Sequence, residues 1–182
     1  MRIIAGELKG RKLVTPKDDS VRPTTDKVKE AVFSMLMPYL QDSVVVDLFA
    51  GTGSLGLEAI SRGAKRAYFV DKDRRSIALV RENVHHCGVE DRAVILCSDH
   101  ASALSRIHDT ADIVFLDPPY RTGLLTECMQ LLRDSGILPE GGIVVAEHDS
   151  HDSMPDQIAG FRKIRDRRYG KIGISVFEQE EK

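Results

Sequence analysis

Tryptophan is absent from the 182 residues, cysteine occurs three times, and aromatic residues make up only 5% of the chain. Cys87, Cys97 and Cys128 are odd in number and widely spaced, with no C-x-x-C pair among them. That pattern argues against a disulfide framework or a zinc site and reads as reduced structural thiols. His85 and His86 are adjacent, so on a helix they point in different directions, and neither meets a second ligand type at metal spacing. No metal is expected. Long hydrophobic runs are missing too: the longest apolar stretches, at residues 44–46, 113–116 and 143–146, fall far short of the roughly 20 residues that span a bilayer. No signal peptide opens the chain, so a cytoplasmic location without a membrane role is expected. There is no Ser-His-Asp or Cys-His set placed for nucleophilic hydrolysis, no internal repeat and no low-complexity tract.

Aliphatic residues fill the gap left by the aromatics and suit an α/β core of Val, Ile, Leu and Ala. A chain of this length buries about 70% of the surface its unfolded form exposes, enough for one domain over residues 1–182 with no metal or disulfide staple. From residue 44 onward apolar stretches alternate with helical patterns at the pace of βαβ units. Strands are predicted near 44–48, 67–71, 93–97, 112–117 and 142–147. Helices are predicted near 54–62, 73–87, 100–107, 122–135 and 153–159. Residues 161–169 and 172–178 read as two further strands, and the short turn Tyr169-Gly170-Lys171 demands that they pair antiparallel. An N-terminal extension, residues 1–40, precedes the core of 41–182. It consists of a hairpin or extended arm over 2–15 and a helix over 24–40 that Thr24 or Thr25 can cap.

The net charge of −2 is unevenly distributed. Residues 1–30 carry eight Lys/Arg against five Asp/Glu, and residues 161–171 carry six against one, whereas residues 31–160 carry eleven against nineteen. Two basic ends flank an acidic middle, an arrangement that separates phosphate contacts from a small-ligand pocket and is equally compatible with solvated charge runs.

Residues 44–56, Val-Val-Val-Asp-Leu-Phe-Ala-Gly-Thr-Gly-Ser-Leu-Gly, form a buried strand, a glycine loop and the start of a helix. Gly51, Gly53 and Gly56 match G-x-G-x-x-G, so a dinucleotide is the first rival ligand and an NAD-dependent oxidoreductase the corresponding alternative. Asp47 turns the choice. A carboxylate four residues ahead of Gly51 repels a pyrophosphate but attracts the α-ammonium of a methionine moiety, directly or through water. S-adenosylmethionine carries that cation and no phosphate. Phe49, Ala50, Gly51, Thr52 and Gly53 form the loop around it. Asp71, twenty residues after Gly51 at the end of the next strand, can accept both ribose hydroxyls. Ser98 and Asp99 follow the third strand, where Asp99 can meet the adenine edge, cap a helix, or both.

Residues 113–116 form a buried strand that delivers Asp117-Pro118-Pro119-Tyr120 to the same sheet edge. The prolines restrict the chain so that the Asp117 carboxylate and the Pro118 carbonyl face one small volume. An aromatic amino nitrogen is a poor nucleophile because its lone pair is delocalised. Two acceptors gripping its hydrogens draw it toward tetrahedral geometry and aim it at a sulfonium methyl. Tyr120 offers a face on which a flat base can stack. These residues indicate an amino-directed methyltransferase, with guanine N2, adenine N6 in DNA and a protein glutamine amide all open as acceptors.

The chain resembles the RsmD family of bacterial 16S ribosomal RNA guanine-N2 methyltransferases along its whole length. The resemblance is carried by Arg22-Pro-Thr-Thr-Asp-Lys-Val-Lys-Glu-Ala-Val-Phe33, the opening Arg2-Ile-Ile-Ala-Gly6, the loop Asp47 to Gly56, Asp117-Pro-Pro-Tyr120 and the late Tyr169-Gly170. It implies a Rossmann-like class I methyltransferase: a mostly parallel seven-stranded sheet with an antiparallel C-terminal hairpin and an N-terminal β-hairpin extension. S-adenosylmethionine would be the cofactor and S-adenosylhomocysteine the product. The implied partner is 16S ribosomal RNA, free or within an assembling 30S subunit, with no obligate protein partner. On this comparison Arg2, Lys9, Arg11, Lys12 and Arg22 hold RNA phosphates from the N-terminal side and Arg165, Arg167 and Arg168 from the last hairpin, while Thr24 and Thr25 touch cofactor or base.

Overall fold

The structure, a computed structural model, describes residues 1–18 and 25–181. Its strands are Val44–Asp47 (β1), Arg66–Asp71 (β2), Ala93–Cys97 (β3), Ile113–Leu116 (β4), Ile143–Asp149 (β5), Gln157–Ile158 (β6), Phe161–Tyr169 (β7) and Ile172–Gln179 (β8). Its helices are Asp26–Leu40 (α1), Ser54–Ser61 (α2), Arg74–Cys87 (α3), His100–Leu104 (α4) and Leu124–Ser135 (α5), with a single 3-10 turn at Glu90–Arg92.

The strands form one sheet in the order β3-β2-β1-β4-β5-β8-β7-β6. The first five in that order are parallel, because each connection contains a helix or turn that carries the chain back across the sheet. Beyond β5 the pairing becomes antiparallel, as the short β7–β8 connection requires. Strand order reverses between β1 and its two neighbours, β2 and β4, and such a switch point opens a crevice beyond the carboxyl ends of the strands. Side chains alternate between two apolar layers. Val45, Phe69, Phe115 and Val145 face the arm, α1, α2 and α3, while Val46, Val70, Leu116 and Ala146 face α4 and α5.

The helix expected over 153–159 is absent, and β6 takes its place, pairing Gln157 with Arg162 and Ile158 with Phe161. Pro155 biases Met154 away from helical dihedrals, and Ala159 and Gly160 take positive φ of 50° and 80° in a two-residue turn that folds the chain back on β7, so residues 157–158 join the sheet as an eighth strand. The helix expected over 100–107 also stops early, at Leu104. The N-terminal hairpin is reduced to a single bridge between Arg2 and Lys12, and its apolar residues Ile3, Leu8 and Leu13 are buried against the core. Thr25 caps α1, its hydroxyl accepting from the Val28 N–H at 3.3 Å. Arg22 and Thr24 lie outside the described residues.

A buried ion cluster fastens the arm to the core. Lys29 and Glu58 have side chains with no exposure and stand 3.3 Å apart. Lys29 Nζ also donates to the Arg2 carbonyl at 2.6 Å and to Ser54 Oγ at 3.0 Å. Glu58 accepts the backbone N–H groups of Ile4 and Ala5 and the Arg62 guanidinium. Burial holds the Lys29 amine below its ordinary pKa despite the attraction of Glu58. Asn83 adds a second clasp, bonding both polar groups of Val14 and donating to the Thr52 carbonyl in the glycine loop.

Taking one partner from a buried pair leaves the other charge uncompensated, at a cost of about 3–5 kcal/mol. Glu58→Ala is therefore expected to lower unfolding stability by about that amount in urea titrations. Glu30→Ala, which removes a half-exposed partner of Arg62, is expected to cost about 1 kcal/mol or less. Equal losses in the two variants would show that the buried cluster is not what fastens the arm.

Candidate active site

Strand β1 runs straight into the glycine loop, and the loop is held from behind. Gly56 packs α2 onto β2 so closely that a Cβ there would stand 2.3 Å from the Phe69 ring, which is why a side chain is excluded at this third glycine. Asp71, at the end of β2, accepts the Gly51 N–H at 3.0 Å through one carboxylate oxygen and the Asp73 N–H at 2.9 Å through the other. The turn leaving β2 and the glycine loop are thereby tied to one side chain.

Asp47 is buried at 1% exposure. Backbone N–H groups of Phe49 and Gly56 bond its carboxylate, but Oδ1 has no hydrogen-bond partner among the described residues. Burial pushes its pKa up to about 7, with the neighbouring Asp71 charge contributing in the same direction. An orphaned, desolvated carboxylate oxygen immediately behind the loop marks a place where positive charge is favoured.

A cavity of about 570 Å³ opens at the carboxyl edge of the sheet, within the roughly 300–1,000 Å³ range of small-ligand sites. Phe49, Gly51, Asp71, Ser98 and Asp99 line one side, and Asp117, Pro118, Pro119 and Tyr120 line the other. The two motifs thus share one volume. Asp47, Ala50, Thr52 and Gly53 are not among the residues that line it, and Thr52 Oγ1 donates to Met1 Sδ at 3.4 Å. Asp99 caps α4 by accepting the Ser102 N–H at 2.9 Å and still lines the cavity. That backbone bond is the main reason its carboxyl is held below the usual range.

Glu147, near the carboxyl end of β5, also lines the cavity, and its Oε1 receives the Tyr120 hydroxyl at 3.2 Å. Sequence reasoning passed over it, although the strand-end rule that picked out Asp47, Asp71 and Asp117 applies to β5 as well. Lys72 and His100 were missed for a different reason, being one residue beyond a recognised position. His100 lies against Phe49, with ring centroids 5.8 Å apart. A second cavity of about 440 Å³ adjoins the first across Pro118, Pro119, Tyr120, Leu124 and Glu147.

The basic residues lie on the outside. Arg2 pairs with Asp26 at 3.1 Å, Arg11 donates to the His86 carbonyl at 2.8 Å, and Lys9 and Lys12 are exposed. Arg165, Arg167 and Arg168 are exposed along β7. Thr25 is occupied in capping α1.

Asp47 makes stability depend on pH in a definite direction. Its pKa rises from 3.8 to about 7 on folding, so between those values the folded chain holds a proton that the unfolded chain has released. Folding then weakens as pH rises through that window, by up to about 1.4 kcal/mol per pH unit. Asp47→Asn removes this dependence, so the wild type is expected to lose stability relative to the variant between pH 4 and 7 in urea unfolding. Parallel profiles would mean that Asp47 ionises normally.

The family described as conserved hypothetical protein 95 matches residues 1–178. The chain is 37% identical over 185 residues to "Putative rRNA methyltransferase YlbH" of Bacillus subtilis, spanning 98% of this chain and 99% of that protein. It is 35% identical over 180 residues to "Ribosomal RNA small subunit methyltransferase D" of Escherichia coli, spanning 99% and 90% respectively. Among solved structures, "Putative methyltransferase yhhF from Escherichia coli" superposes with a TM-score of 0.88 at 33% identity, covering 100% of this chain and 99% of that one. The sheet with its antiparallel C-terminal strands is accordingly the Rossmann-like methyltransferase fold, and the chain belongs to the RsmD family.

Proposed function

We propose that the protein transfers a methyl group from S-adenosylmethionine to the N2 amine of a guanine in small-subunit ribosomal RNA, working in the cytoplasm. The observation that supports this most strongly is that the glycine loop with Asp71 and the tetrapeptide Asp117 to Tyr120 line opposite sides of one cavity. The names of the relatives at 37% and 35% identity point to ribosomal RNA as the substrate class. The choice of guanine follows the family resemblance.

The residues fit the cofactor. Asp71 would accept ribose hydroxyls and Ser98 and Asp99 would meet an adenine edge, while a cationic methionine end beside the loop would favour the ionised form of the buried Asp47. S-adenosylmethionine, when bound, supplies an electrophilic methyl group on a sulfonium. The protein's part is to orient the acceptor. The Asp117 carboxylate and Pro118 carbonyl accept the two amine hydrogens, and Tyr120 stacks on the ring of a base extruded into the cavity. Positioning is the main role of Asp117, because a methylated amine sheds its extra proton readily. The exposed arginines of β7 and the arm are available for phosphates outside the cavity.

Asp117→Ala is expected to lower methyl transfer by roughly 10²–10³-fold, as removal of an oriented transition-state contact does, while leaving affinity for S-adenosylhomocysteine nearly intact by calorimetry. Undiminished turnover would remove the mechanism. The substrate is tested by incubating labelled cofactor with ribosomal RNA, assembled small subunits and duplex DNA, followed by mass spectrometry of the nucleosides. N2-methylguanosine missing from small-subunit RNA of a strain lacking the protein is the expected result. Label on adenine in DNA would overturn the reading.

A further inference from the structure

Glu147 stands where the two cavities meet. It lines both, together with Pro118, Pro119, Tyr120 and Leu124, so a base stacked on Tyr120 with its amine at Asp117 must pass beside it. The register explains the placement. Strands β4 and β5 run parallel with Leu116 opposite Ala146, so Asp117, the first residue beyond β4, comes level with Glu147, which stays in the sheet opposite Ile174 of β8.

The end of β5 is also rigid. His148, the next residue, is 6% exposed. Its ring bonds the Asp149 carbonyl at 2.9 Å and Ser175 Oγ at 2.8 Å, and Ser175 in turn donates to Asp166 at 2.9 Å on β7. Gly173, directly across from His148 in the β5–β8 ladder, makes room for that ring, since a Cβ there would stand 2.4 Å from it. Glu147 is therefore held by its own strand as well as by its bond to the Tyr120 hydroxyl.

We propose that Glu147 reads the identity of the base by accepting the N1–H of guanine while Asp117 and Pro118 hold the neighbouring N2 amine. This deepens the guanine reading above and rests on it. An ionised carboxylate only accepts hydrogen bonds. The Watson–Crick edge of guanine presents two adjacent donors, N1–H and the N2 amine, which match two acceptors side by side. Adenine presents its amine next to N1, an acceptor, so the same carboxylate faces a lone pair and rejects it. A glutamine at this position would offer an acceptor and a donor together, and the preference would fade.

The test uses small-subunit RNA transcripts that carry either guanosine or 2-aminopurine at the position mapped by mass spectrometry. 2-Aminopurine keeps the amine at carbon 2 and converts N1 from donor to acceptor. The wild type is expected to favour guanosine in kcat/KM by roughly 10²-fold or more, as sites built around a substrate hydrogen bond do. Glu147→Gln is expected to narrow that ratio by at least about tenfold, with S-adenosylhomocysteine binding retained as evidence of folding. Tyr120→Phe removes the hydroxyl bond to Glu147 and keeps the carboxylate, so it should slow both transcripts alike and leave the ratio in place. An unchanged ratio in Glu147→Gln overturns the inference, as does a Tyr120→Phe ratio that moves equally far, because Glu147 would then act through the ring. A wild type that labels neither transcript removes the guanine reading and this inference together, an outcome distinct from either failure of Glu147.

Discussion

Parallel pairing of β1 with β2 and β4 is the constraint on which the site depends. Parallel strands joined by crossovers must all present their carboxyl ends to one edge, whatever their side chains. Asp47 pairs with Phe69 on one side and Phe115 on the other, so the residues just beyond those partners arrive at one level. Asp71, Asp117 and Glu147 come together there although 76 residues separate the first from the last. Collecting carboxylates in this way costs free energy through desolvation and mutual repulsion, as the raised pKa of Asp47 records. Backbone N–H groups at Phe49, Gly51, Gly56 and Asp73 offset part of that cost, and the same bonds shape the glycine loop.

A second layer of organisation links the N-terminal arm to this loop. Lys29 and Glu58 reach the arm through the backbone of residues 2, 4 and 5, and Lys29 reaches the first residue of α2 through Ser54. Asn83 spans from Val14 to Thr52. The arm's backbone groups are satisfied partly within a short hairpin, through Ile3 with Arg11 and Gly10 and Leu13 with Met1, and partly by the core. The basic residues it carries are thereby tied to the glycine loop.

Much of the architecture was legible from residue patterns. The strands fell where β-branched and aliphatic runs stood between turn signals, and the antiparallel hairpin followed from a connection too short for a crossover. The helix read over 153–159 gave way to a hairpin, because Ala159 and Gly160 turn the chain with positive φ and the backbone of Asp156 pairs with Lys163. The early end of α4 has a similar local cause, with Ser105 turning its hydroxyl back to the Ser102 carbonyl. Of the two threonines offered as caps for the helix over 24–40, Thr25 is the one that caps α1.

What the sequence by itself determined is the chemistry of the site: a glycine loop with acids at fixed offsets and a proline-restrained Asp-Pro-Pro-Tyr are local patterns whose meaning does not depend on long-range contacts. Only the tertiary structure decided which of those residues line the cavity. Asp47 and Asp71 look alike in sequence, each ending a strand, yet Asp71 lines the cavity while Asp47 is buried, its carboxylate bonded by the backbone N–H groups of Phe49 and Gly56. Glu147 closes the strand predicted over 142–147, but nothing local shows which residue it stands beside. Its place beside Asp117 comes from the register of β4 with β5, a long-range pairing set by the burial of both strands' apolar faces.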